Sequence, residues 1–201
     1  MKYVKMLAVA TTALAAISTA VATGTASAEK LCTEQKIECP AGKHEPTGTV
    51  TLRSLVGTFR LWTGTFTIDT CTGQTIKAKT TNTAATGERI KFTNESYTHT
   101  GCTEPTTTLS PGKEEIAHIE GTNNGTLISS ELEITVNTTV FGSCVFGTGA
   151  GTDMGTVVGG NPATVKINAT VTRISGLCPS TATWEADYMI TEPKPIWIAK
   201  K

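Results

Sequence analysis

Charge is scarce in this sequence. Lys, Arg, Asp and Glu supply 17% of its 201 residues, against about a quarter of a typical globular chain. Its 17 basic and 17 acidic side chains cancel. With no basic excess there is no patch to neutralise phosphates, so nucleic acid and anionic membrane are poor partners. Aromatic residues are few as well, at 5%, so the core is light and large rings alone do not hold it. No segment keeps a helical period over a useful length, which excludes helix bundles and strand–helix alternation. No fixed repeat period is present, which excludes solenoids and propellers.

Catalytic signatures are missing too. There is no Gly-x-Ser-x-Gly elbow and no His-Glu-x-x-His. Asp69-Thr70-Cys71-Thr72-Gly73 approaches the Asp-Thr-Gly of aspartic proteases, but Cys71 holds the glycine position. That chemistry needs two carboxylates, and no second copy exists. Glu131 and Glu133 share one face of a strand, a solvated pattern rather than a pair flanking a substrate. His44, His99 and His118 stand apart, without the spacing of a zinc site. Cys32, Cys39 and His44 are a nominal ligand set, but a disulfide accounts for the two cysteines. Asp153 lacks the companion acids of a calcium loop, and the stretch Gly147 to Gly160 lacks the ending of a phosphate cradle. No metal and no cofactor is expected.

What is present begins at the N-terminus. Lys2 and Lys5 precede an uncharged run, Met6 to Ala22, and Ala26-Ser27-Ala28 then offers the small-x-small pattern that signal peptidase accepts. Thr11, Thr12, Ser18 and Thr19 dilute the run too far for a good membrane anchor. Residues 1–28 therefore read as a cleaved signal peptide, and the mature chain as secreted, without a membrane span and slightly acidic once Lys2 and Lys5 are gone. Glu29-Lys30-Leu31 before Cys32 is the wrong context for a lipid anchor.

Six cysteines follow: Cys32, Cys39, Cys71, Cys102, Cys144 and Cys178. An even number in an exported chain is a disulfide framework, and it argues against a thiol nucleophile. Sequence alone does not choose among the connectivities. Order and spacing favour neighbours, Cys32–Cys39, Cys71–Cys102 and Cys144–Cys178, each worth about 2–4 kcal/mol through loop entropy. Thr supplies about a fifth of all residues, several-fold its usual share. It is a strand former with a polar tip, so it favours β-structure with a hydroxylated surface.

Alternation confirms the class. Residues 29–48 are expected to form an irregular clasp, with two cysteines, Pro40, Gly42 and Pro46. From residue 49 the grammar is strand and turn. Val50 and Leu52 alternate with Thr51 and Arg53, and Phe59 and Leu61 with Arg60 and Trp62. Phe66 and Ile68 alternate with Thr67 and Asp69, Thr72-Gly73 reads as a turn, and Thr75 to Thr80 as a further strand. Ile90 and Phe92, then Leu132, Ile134 and Val136, repeat the pattern. So do Val165, Ile167, Ala169 and Val171, and finally Trp184, Ala186, Tyr188 and Ile190. The glycine-rich stretch 147–160 reads as a long hairpin or loop. Residues 49–201 are thus expected to form a single all-β domain, an antiparallel, disulfide-stapled β-sandwich, with a β-barrel as the alternative.

Several short stretches carry a resemblance: Leu31-Cys32 with Cys39-Pro40, Cys71-Thr72-Gly73, Thr100-Gly101-Cys102, and Gly160-Asn161-Pro162-Ala163-Thr164. Leu177-Cys178-Pro179-Ser180-Thr181-Ala182-Thr183-Trp184, followed by Tyr188, belongs with them. Together they resemble a loosely defined group of secreted, cysteine-patterned actinobacterial proteins without an assigned function. The resemblance implies an exported β-protein with disulfides and transfers no activity.

One surface pair stands out. If Phe59 and Leu61 face inward, Arg60 and Trp62 face out, and a tryptophan beside a cation can stack on a sugar or engage a protein. Arg60 and Trp62 are therefore the candidate ligand-binding residues. The function expected is a non-catalytic extracellular binding or structural module, free or associated with the cell surface, whose partner is a surface glycan or protein. The alternative is a secreted hydrolase with an unrecognised site.

Overall fold

The computed structural model describes residues 28–44, 48–54, 59–82 and 84–200. The signal-peptide reading of residues 1–28 falls outside the described residues except for Ala28, which is buried.

The alternation becomes twelve strands in chain order: β1 Glu29–Cys32, β2 Gly48–Ser54, β3 Phe59–Trp62, β4 Thr67–Thr80, β5 Ile90–Cys102, β6 Thr106–His118, β7 Asn124–Thr138, β8 Gly142–Gly147, β9 Thr152–Val158, β10 Thr164–Ser175, β11 Thr181–Glu192 and β12 Trp197–Lys200. Every ladder between these strands is antiparallel. Ten of them form one sheet, ordered β2-β11-β3-β4-β5-β6-β7-β8-β10-β9. The extra β10–β11 ladder lets the pairing return on itself, and β2 and β3 in turn bridge β11 to β4. The chain is all-β, antiparallel and stapled by three disulfides, Cys32–Cys39, Cys71–Cys102 and Cys144–Cys178. Such bridges mark a chain that folds in an oxidising compartment.

The inward sets named from alternation are the core. Phe59, Leu61, Leu132, Ile134, Val136, Val165, Val171, Trp184, Tyr188 and Ile190 are all buried. Trp184 sits at the centre of the sparse aromatics, edge-on to Phe59 at 5.5 Å and to Tyr97 at 6.5 Å between centroids.

Three local readings change, and one strand is added. The clasp is not wholly irregular: Glu29–Cys32 is a strand, because Leu31 and Cys32 gain burial by pairing with Trp197–Lys200. Thr72-Gly73 is not a turn, since β4 runs straight through it. Gly73 leaves room for Thr100 on the neighbouring strand, where a Cβ would stand 2.9 Å from its hydroxyl. Residues 106–118, unassigned by the alternation, form a full strand that contains Pro111 and a positive-φ Gly112, with its register shift at Thr108/Ser110. Within the glycine-rich stretch lies β9, paired to both β7 and β10, with Met154 and Val157 buried. Gly155 is required there: its φ is 139°, and a Cβ would stand 2.0 Å from the Lys166 carbonyl oxygen.

Strand direction sorts the connections to two ends. The β1–β12 ribbon and its disulfide cover one end, where Leu31 exchanges backbone hydrogen bonds with the buried Asn82 side chain. At the other end lie the tips of β3–β4 (63–66), β5–β6 (103–105), β7–β8 (139–141) and β10–β11 (176–180). We call these the ribbon end and the loop end.

Candidate functional site

β3 presents Arg60 and Trp62 outward because Phe59 and Leu61 take the inner face; both outer side chains are half-buried. The Arg60 guanidinium carbon lies 4.6 Å above the Trp62 ring. Its Nε and Nη2 donate to Glu185 Oε2 at 3.1 and 2.5 Å, Glu185 standing opposite Arg60 on β11. The two candidate residues are therefore one unit: the cation covers one ring face and is itself oriented by a carboxylate. Trp62 Nε1 is enclosed without a hydrogen-bond partner among the described residues.

Trp62 is the last residue of β3 and leads directly into the loop end. Thr63 turns the hairpin by accepting from the amides of Thr65 and Phe66 and by donating its own amide to the Phe66 carbonyl. Phe66, read as part of an inward set, lies outside β4 and is half exposed. It stacks on Phe141 of the β7–β8 tip at 5.7 Å, and so bridges two of the four tips. Glu104 joins a third, its Oε1 accepting from the amide and hydroxyl of Thr139. Asp69 anchors that third tip from below: it is fully buried and accepts from Thr103 Oγ1 at 2.9 Å, Glu104 N at 3.0 Å and Thr106 Oγ1 at 2.6 Å.

Two of the three disulfides also lie at this end, Cys71–Cys102 under the β5–β6 tip and Cys144–Cys178 tying β8 to the β10–β11 tip. On these stapled tips stand the two most exposed large apolar side chains described, Leu177 at 81% and Val140 at 79%. Glu104 is the only charged residue on the four tips, and its carboxylate is engaged. A stapled, apolar-tipped surface with a single charged side chain suits contact with another surface.

A second cluster is internal, and sequence reasoning missed it. The β5–β6 ladder runs only from Ile90↔Ile116 to Thr93↔Lys113; toward the loop end the two strands are joined by side chains. Asn94 Nδ2 donates to the Pro111 carbonyl at 2.7 Å, Tyr97 Oη donates to Glu114 Oε1 at 2.5 Å, and His99 Nε2 lies 3.1 Å from Thr108 Oγ1. Gln74 extends the chain, its Nε2 3.2 Å from His99 Nδ1 and its Oε1 accepting from Tyr188. Burial pushes the Glu114 carboxyl above its usual range and the His99 imidazole below its own, with Asp69 partly offsetting the latter. Burial, reinforced by Glu114, lifts the Tyr97 phenol as well. The signal was present in the sequence: Asn94 continues the inward Ile90–Phe92 set, and Glu114 the set of Ile116.

Toward the ribbon end, Glu114 borders an apolar cavity enclosed by Leu31, Phe92, Leu127, Val165 and Ile198 among others. Its volume is about 20 Å³, room for about one water molecule. Among the described residues, Cys71, His99 and Cys102 bring potential metal-ligand atoms within 4.8 Å of one another, with both cysteines in the disulfide. Glu131 and Glu133 do not form a carboxylate pair: Glu131 is exposed, has a positive φ, and meets Lys113 at 3.0 Å.

Comparison with protein-family models, with curated proteins and with solved structures gave no match.

Proposed function

We propose that this chain is an exported, non-catalytic binding module that works outside the cell and engages a surface glycan or protein through its loop end. The observation that carries the reading is the stapled set of four tips, which holds Val140 and Leu177 almost fully in solvent beside the preset Arg60–Trp62 unit. Exposed apolar side chains lose least entropy on contact when their backbone is already fixed. The three disulfides and the secretory pattern at the N-terminus support a place outside the cytoplasm.

The internal Glu114–Tyr97 and His99–Gln74 network is what a hydrolase reading would use. It supports that reading less well, because its polar groups answer one another and the cavity beside it is water-sized.

The test is co-sedimentation of the purified, oxidised chain with insoluble cell-wall and plant polysaccharides, alongside Trp62→Ala. Saturable pelleting that weakens at least tenfold in the variant supports glycan recognition at this end. Absence of pelleting with every polymer removes the glycan and leaves a protein partner, which cross-linking to intact cells then addresses.

A further inference from the structure

The three disulfides differ in enclosure. Cys144 and Cys178 are 0% and 1% exposed, and Cys32 and Cys39 are 0% and 7%. Cys71 is buried, but Cys102, the last residue of β5, is half-buried. Thiol–disulfide exchange requires an external thiolate to reach a sulfur, so the bridge that holds the most exposed of the described cysteines is the one most open to attack.

Its surroundings are those of a ligand set. Cys71 and Cys102 stand directly opposite each other in the β4–β5 ladder. In a regular strand His99 and Cys102, three residues apart, would face opposite sides. Gly101, with φ at 58°, breaks that alternation. Both sulfurs and a His99 ring nitrogen then lie within 4.8 Å of one another. A tetrahedral zinc ion with Zn–S near 2.3 Å holds its sulfurs about 3.7 Å apart, a separation this span accommodates. The Gln74 amide N–H donates to Nδ1, leaving the Nε2 proton for Thr108. A cation at Nδ1 takes that lone pair by displacing the Gln74 N–H, while Nε2–H stays anchored on Thr108, which is how a metal-bound imidazole is held. Asp69 Oδ2, 3.5 Å from Cys71 Sγ, adds negative charge beside the site.

We propose that reduction of Cys71–Cys102 opens a Cys–Cys–His site for a borderline divalent cation, Zn²⁺ by its chemistry. A dithiol reductant supplies two electrons and two protons: the S–S bond breaks, two thiols form, and the reductant closes its own disulfide. The cation then displaces both thiol protons and takes two thiolates and the imidazole, with water in the fourth position.

The experiment treats the oxidised chain with limiting dithiol under anaerobic conditions, removes the reagent, maps free cysteines by alkylation and mass spectrometry, and titrates Co²⁺ as a spectroscopic stand-in for Zn²⁺. The expected result is alkylation of Cys71 and Cys102 before Cys144 and Cys178, with one Co²⁺ bound and a thiolate-to-metal charge-transfer band. That band should weaken at least tenfold in affinity for His99→Ala and persist in a Cys32→Ser/Cys39→Ser variant, which removes the other Cys–His grouping. Equal reduction of Cys144–Cys178, loss of folded circular dichroism on selective reduction, absence of the band, or full affinity in His99→Ala would each overturn the proposal.

Discussion

Tyr97, beyond the last backbone pair of the β5–β6 ladder, donates a 2.5 Å hydrogen bond back to Glu114, which stands within that ladder opposite Phe92. A buried carboxyl thus ties the unladdered part of β5 to β6 through a side chain. Its desolvation is only partly offset by the Tyr97 and Asn94 donors, so the protonated form is favoured in the folded state.

That imbalance has a definite sign. Because the folded-state pKa of Glu114 is raised, its contribution is fully favourable below the ordinary carboxyl range and is lost as pH rises through the folded value. Glu114→Gln keeps an acceptor for Tyr97 and removes the titration. Thermal melts across pH 4–8 (roughly the window a raised carboxyl spans) should show the variant gaining on the parent toward neutral pH. A parallel pair of curves would contradict this.

His99 acts on the acid side. Burial lowers its pKa, so protonation is disfavoured in the fold, and the stability it supports is present above the ordinary imidazole range and lost as pH falls below it. His99→Gln should flatten the acid limb of the stability profile. Direct titration by NMR of the ring protons checks the same point, with a midpoint below that of an exposed histidine expected.

The disulfides should rank by the loops they close. Cys144–Cys178 spans 34 residues and Cys32–Cys39 spans 7. Loop entropy alone then favours the longer bridge by about 1.4 kcal/mol, or about 3–6 °C in melting temperature for a chain of this size. Paired serine substitutions measured by calorimetry test it. Equal losses would show that the ribbon-end bridge acts through native contacts instead.

Most of the core was legible because it follows simple alternation. Leu132, Ile134 and Val136, and likewise Trp184, Ala186, Tyr188 and Ile190, are inward as the pattern requires. β6 was not assigned because residues 106–118 lack a clean apolar alternation, and β9 was hidden because the glycines of 147–160 read as a loop. In the fold, Gly155 takes a positive φ beside the β7–β9 register shift, and Gly112 takes one within β6. Arg60 and Trp62 were visible as an outward pair, but their coupling to Glu185 needs the β3–β11 register, which no local pattern carries. The loop end was invisible for a related reason: Phe66, Val140 and Leu177 are scattered singly along the chain, and only the strand order gathers their hairpins.

The central claim is that recognition happens at the loop end, and a paired-surface experiment tests it most directly. Val140→Asp with Leu177→Asp charges the loop end, while Ile37→Asp with Ile119→Asp charges exposed apolar positions near the ribbon end, where Ile37 pairs with Lys200 and Ile119 begins the β6–β7 turn. Binding of each variant to whole cells and cell-wall fractions would be measured against the parent. The account predicts at least a tenfold loss for the loop-end pair and parental binding for the ribbon-end pair. Parental binding by the loop-end pair, or equal loss in both, would contradict it.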